Sequence, residues 1–289
     1  MDATSGVGSG RTAAPAWLAA CLAAGAGNQI ARGMGPGRVL LALVMIALGL
    51  RGLLFGDFAG IWQRIPIAHL PAHDFFVYLA ALVELATGAG MLVPRVAKAA
   101  AGLLSVFALL WMVLLKFPAV IYAPAMEATW LGAGEIAAIL AGAWIVFASL
   151  AKPDGHFFAG RRGIRNARLL FVLALPTIGL SHYFYADITA GFVPAWLPWR
   201  HGWAYLTGAG SLATALAILF AAWPRLAAVL EAAMLGVITL LVWLPPLLAH
   251  AHDTDAWSAF LMSGAIAAGA AAVADSYRGI GWTARGPHH

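Results

Sequence analysis

Three charged side chains sit where a charge is expensive, inside long apolar runs: Arg51, Glu84 and Glu135. An ionisable group in hydrocarbon needs a partner or a task, so such residues are the first candidates for function. A helix rises about 1.5 Å per residue, which puts Arg51 and Glu135 at comparable depth and Glu84 somewhat deeper. If all three face the interior of one bundle, Arg51 can bridge both carboxylates. Three tasks are open: an ion pair that fixes helix register, a carboxylate that handles a proton or holds a ligand, and a side chain facing water.

A second group of polar residues gathers at the opposite end of the spans from most of the basic side chains. It comprises Asp57, His69, His73 and Asp74; then His182, Asp187 and His201; then His250 and His252 with Asp253 and Asp255. Histidine and carboxylate are ligand types for zinc or copper. Neither His69 with His73 nor His250 with His252 has the spacing of a specific motif, and Pro71 interrupts the first pair, so no metal site is assigned. The same residues can line an interfacial pocket. Trp62, Trp196, Trp199, Trp203, Trp243 and Trp257 fall near this surface, either as an aromatic belt or as a lid over such a pocket.

The elements that must position these groups are read from hydropathy. The chain has 289 residues, 62% hydrophobic and 10% charged, and its mean hydropathy is +0.85. This is far above a globular domain and suits lipid. About 20 apolar residues cross the hydrocarbon core. Eight segments qualify: 37–56, 74–93, 97–116, 131–151, 169–186, 202–222, 226–248 and 257–275. They lack period-two alternation, so the expected spans are helices.

The basic residues are scattered between spans and not gathered on one domain, which argues against nucleic acid despite a pI near 9.7. They serve as a topology signal. Arg95, Lys98, Lys152, Arg161, Arg162, Arg165, Arg168, Arg225 and Arg278 fall on one side, and only Arg64, Lys116 and Arg200 on the other. The positive-inside rule then places both termini in the cytoplasm of an inner (plasma) membrane. The alanine-rich stretch 13–26 has Arg11 as its only preceding basic residue, with Gly-Asn-Gln and two more arginines after it, and reads as part of an uncleaved tail. Cys21 is the single cysteine, which rules out an intrachain disulfide or a CxxC redox pair. Walker-type loops, His-Glu-x-x-His and Gly-x-Ser-x-Gly are absent, and no catalytic residue is assigned.

The chain also reads as one unit written twice. Tyr78-Leu79, Thr87, Pro118 and Trp130 recur as Tyr205-Leu206, Thr214, Pro245 and Trp257, and 205−78, 214−87, 245−118 and 257−130 all equal 127. The expected organisation is a tail at 1–36, a four-helix repeat at 37–151, a basic linker at 152–168, a second four-helix repeat at 169–275 and a tail at 276–289. An even number of spans per repeat makes the copies parallel. The fold expected is therefore an all-α membrane protein with eight transmembrane helices in two parallel tandem four-helix bundles. The positions aligned with Arg51, Glu84 and Glu135 are Ser181, Ser211 and Met262, so the charged set is absent from the second copy. Glu231, near the start of span seven, is expected to snorkel to the surface and has no role.

The segments "VELATGAGMLVPRVAKAAAGLL" and "LSHYFYADITAGFVPAWLPWRHGWAYLTGAG" resemble DoxX-like membrane proteins, and the resemblance extends over 37–275 as two fused units. It implies a membrane protein of the kind found in quinone-linked redox complexes, with Glu84 at an acidic position that members often carry in span two. Ser211 departs from that pattern in the second copy. The leading expectation is an accessory or binding subunit for an apolar small molecule, with quinone as a possible cofactor, lipid as its surroundings and a membrane redox complex as partner. An oxidoreductase subunit using Glu84 and nearby histidines, and a small-molecule transporter, are the alternatives.

Overall fold

The computed structural model describes residues 34–59, 71–152 and 157–285. His69, Trp62, Cys21 and the first 33 residues lie outside them. The described chain is helical, and its β pairing is one isolated bridge between Ala222 and Arg285. The helices are α1 (Pro36–Phe55), α2 (His73–Leu92), α3 (Ala97–Tyr122), α4 (Glu127–Leu150), α5 (Gly160–Phe184), the short α6 (Ala186–Phe192), α7 (Arg200–Leu219), α8 (Pro224–Ala249) and α9 (Thr254–Asp275). All except α6 are long and apolar enough to cross a membrane. The molecule is an integral, multi-pass membrane protein.

Local sequence explains where the helices start and bend. Pro36 occupies the first turn of α1, where a missing N–H costs nothing, and Gly56 ends it in the left-handed conformation at φ 62°. In α3 the turn Met112–Lys116 widens to a π-helix just ahead of Phe117 and Pro118, and in α8 Thr239–Trp243 does the same ahead of Leu244 and Pro245. Proline has no N–H for the preceding turn and collides with its carbonyl; one extra residue in that turn relieves the collision.

Successive spanning helices pack side by side, and α9 returns to α1, so the eight form a closed ring in chain order. α4 and α9 also pack against each other across the middle. One hydrophobic core runs from Leu41 and Met45 through Ile136 and Ile139 to Phe171, Leu175, Met262 and Val273. The two halves therefore share a core and do not stand as separate bundles. Both ends of the described chain meet on one face, where Asp275 Oδ2 accepts a hydrogen bond from Gly37 N at 2.8 Å.

Several backbone devices recur at the 127-residue spacing. The π turns begin at 112 and 239. Ala72 and Trp199 both take positive φ before α2 and α7. The Trp130 indole donates to Pro124 O, and the Trp257 indole donates to Ala251 O.

The basic stretch expected to be linker is partly helix, because α5 begins at Gly160. Gly160, Gly163, Ile164, Ala167 and Phe171 are buried at helical spacing and turn Arg161, Arg162 and Arg165 outward. Arg168 points inward, 1% exposed. Its guanidinium lies 3.7 Å from the centre of the Tyr277 ring and its Nε donates to Ser276 Oγ at 2.9 Å. Its Nη2 donates to the Ser276 carbonyl. The segment after α9 is folded back too: Trp223 N donates to Ala284 O at 3.1 Å and Arg225 Nη1 to Ile280 O at 2.8 Å.

A candidate ligand cavity between α5, α7 and α8

Arg51 is 3% exposed and Glu84 is 2% exposed. Arg51 Nη1 donates to Asp57 O at 2.6 Å and Nη2 to Thr254 O at 3.3 Å. It also feels the charges of Asp57, Glu84 and Asp255. Arg51 thus ties the end of α1 to the loop that follows it and to the start of α9. It does not bridge to Glu135. α4 is apolar on every side, and Gly134 lets it approach Ala174 and Thr177 of α5 closely. That contact turns Glu135 away from Arg51 and toward the second half.

There Glu135 lines a cavity of about 760 Å³, within the ~300–1,000 Å³ usual for small-molecule sites. The wall is built from Leu131 and Glu135 of α4, Ile178, Ser181 and His182 of α5, α6 and the loop after it, Trp203 and Thr207 of α7, residues 230–243 of α8 and Ser263 of α9. Along α8 the lining runs from Leu230 to Trp243, about 20 Å at the helical rise. The cavity is mostly apolar, occupies the end of the bundle opposite the face where Gly37 meets Asp275, and carries a few polar groups. The charge of Lys116 acts on Glu135.

The 127-residue register shows why there is room. The cavity residues Met234 and Ile238 correspond to Phe107 and Trp111 of the first half. Those two rings meet edge to face at 5.8 Å, and Trp111 packs on Phe58 at 5.7 Å. Two aromatic side chains give way to a methionine and an isoleucine in the second half.

Of the described members of the polar cluster expected at this surface, only His182 reaches the cavity. His201 Nε2 pairs with Asp187 at 2.9 Å, both exposed. His73 Nδ1 pairs with Asp74 at 3.1 Å, and its ring meets Phe58 edge to face at 5.4 Å. Asp57 Oδ1 accepts from Phe58 N at 2.7 Å. His250 and His252 are exposed. Among the described residues no three His, Cys, Asp or Glu side chains form a metal-ligand group. Trp203 and Trp243 do line the cavity, whereas Trp196 and Trp199 are exposed.

Glu231 departs from expectation. It is 1% exposed, and its Oε1 accepts from Ser211 Oγ at 2.8 Å. Thr214 lies near the same carboxylate, whose Oε2 is buried without a hydrogen-bond partner among the described residues. A carboxylate therefore stands beside Ser211, the counterpart of Glu84, but comes from the neighbouring helix. The second half is not without a buried charge-bearing group. The sequence clue was available in the same register, since Leu104 stands where Glu231 would in the first half.

Residues 33–116 match the family model DoxX. That segment is similar to DoxX. The DoxX segment covers α1, α2 and α3 as far as the π turn, and DoxX is an integral membrane family. No curated protein and no solved structure matches the chain. Every residue lining the cavity lies beyond the DoxX segment, so the family match assigns the cavity no ligand.

Proposed function

We propose that this is a duplicated DoxX-like protein of the inner membrane, with cytoplasmic termini, whose second half binds an elongated apolar small molecule with a polar head. The observation that carries the reading is the roughly 20 Å apolar cavity along α8, with Glu135, Ser181 and His182 on its wall. A lipid-soluble quinone or quinol fits this description, and a subunit that holds one serves a membrane redox complex as an accessory. Recurrence of the π turns, the indole hydrogen bonds and the positive-φ residues at 127-residue spacing supports tandem duplication. The basic residues Arg95, Lys98, Arg161, Arg162, Arg165, Arg225 and Arg278 support the cytoplasmic placement of the ends.

The test is mass spectrometry of small molecules released from protein purified in mild detergent. One apolar molecule per chain, lost when Met234→Phe and Ile238→Trp close the cavity, supports the reading. Equal lipid content in both proteins contradicts it.

A further inference from the structure

We propose that the cavity selects an apolar ligand whose head donates hydrogen bonds, a hydroxyl such as that of a hydroquinone or a long-chain alcohol, over the same skeleton bearing a carbonyl. This rests on the reading that the cavity holds a ligand, and it follows from where the protons of the lining residues already point.

Ser181 Oγ donates to Ile178 O at 2.7 Å. His182 Nδ1 lies 3.0 Å from the same carbonyl. A carbonyl only accepts, so Nδ1 carries the proton of the neutral ring and Nε2 is left as an acceptor. The Thr207 hydroxyl is within reach of Trp203 O at 3.0 Å and Ala204 O at 2.9 Å. The Trp203 indole N–H goes to Pro198 O at 3.0 Å. Thr239 Oγ1 donates to Leu235 O at 2.9 Å, so in its 2.8 Å contact with Ser263 it is Ser263 that donates. Glu135, in the ionised form that the charge of Lys116 favours, only accepts, and it makes no hydrogen bond among the described residues.

Backbone carbonyls and neighbouring hydroxyls thus take the protons of Ser181, His182, Trp203, Thr207 and Ser263. What Glu135, Ser181, His182, Thr207 and Ser263 have left is lone pairs. Thr189 and Trp243 retain uncommitted donors among the described residues, and the Trp243 ring is held against Phe192 at 5.1 Å. A carbonyl oxygen brought to Glu135, Ser181 and His182 meets acceptor against acceptor. It also loses its hydration, the mismatch for which buried polar sites reject the wrong head. A hydroxyl at the same place donates and is satisfied.

The experiment uses the full chain in mild detergent and a decyl-tailed benzoquinone in its oxidised and reduced forms, competed at equal concentration, with farnesol as a third probe. Occupancy is read by native mass spectrometry against the Met234→Phe, Ile238→Trp protein as the background for micelle partitioning. The reduced form is expected to occupy the cavity about tenfold more than the oxidised one, on the penalty for an unpaired buried polar group. Farnesol binding as well as the hydroquinone identifies the hydroxyl alone as the recognised feature. Farnesol failing while the hydroquinone binds adds the aromatic ring to it, and both results support the proposal. Equal occupancy, or preference for the oxidised form, overturns the proposal and leaves the ligand reading standing. No probe above background overturns both. In Glu135→Gln, whose amide can donate, and in His182→Phe, the preference should narrow. A ratio unchanged in both overturns the placement of the head.

Discussion

Gly142 of α4 and Gly269 of α9, 127 residues apart, touch backbone to backbone: a Cβ on Gly142 would stand 2.5 Å from the Gly269 Cα. The tandem duplication proposed above would require such contact between positions in the 127-residue register, with a pseudo-two-fold axis at the α4–α9 crossing. Small residues allow such an approach where no hydrophobic force between helices is at hand.

Gly142→Val must push these helices apart. It should lower stability by about 1–3 kcal/mol, the usual cost of overpacking, read as a lower melting temperature in detergent. Gly191→Ala is the control, since a Cβ there meets nothing within 4 Å.

The Ser211–Glu231 pair predicts a non-additive pair of substitutions. Ser211→Ala leaves the Glu231 carboxylate with one fewer donor in a buried place and should cost about 1–3 kcal/mol. The double change Ser211→Ala, Glu231→Leu removes the group that needed the donor and installs the residue type found at Leu104. It should be more stable than Ser211→Ala alone, because replacing both partners by apolar groups is close to neutral. Thermal unfolding of the three proteins decides it, and a double variant less stable than the single one contradicts the pairing.

Arg168 predicts a latch between the start of α5 and the end of α9. Arg168→Met keeps the apolar stem but loses the stacking on Tyr277 and the hydrogen bonds to Ser276, with an expected loss of about 2–4 kcal/mol. Limited proteolysis should then cut first near 276–285, the segment that the latch holds down. An unchanged cleavage pattern would show that the segment is held by Arg225 and Trp223 instead.

How much of this was legible in the sequence follows from what each signal encodes. Hydropathy gives the length and place of a span, so 37–56 was read where α1 runs Pro36–Phe55, and 226–248 where α8 runs Pro224–Ala249. It says little about rotation when a helix is apolar all round. α4 is largely such a helix, so its sequence leaves open which half Glu135 faces, and packing turns it to the cavity of the second half. Depth along the helix suggests that Glu231 snorkels, but its burial depends on the covering neighbours, which hydropathy does not encode. The basic stretch from Arg161 to Arg168 was read by charge alone, which hid the buried stripe of Gly160, Gly163, Ile164 and Ala167. The cavity needs three-dimensional packing, yet its sequence trace was present as Phe107 and Trp111 against Met234 and Ile238.

Native mass spectrometry of the wild-type chain beside its Met234→Phe, Ile238→Trp counterpart tests the central claim most directly. The account predicts one apolar molecule retained per wild-type chain and none in the filled protein, with both proteins folded by melting temperature and size-exclusion profile. Identical spectra from two equally folded proteins would contradict it.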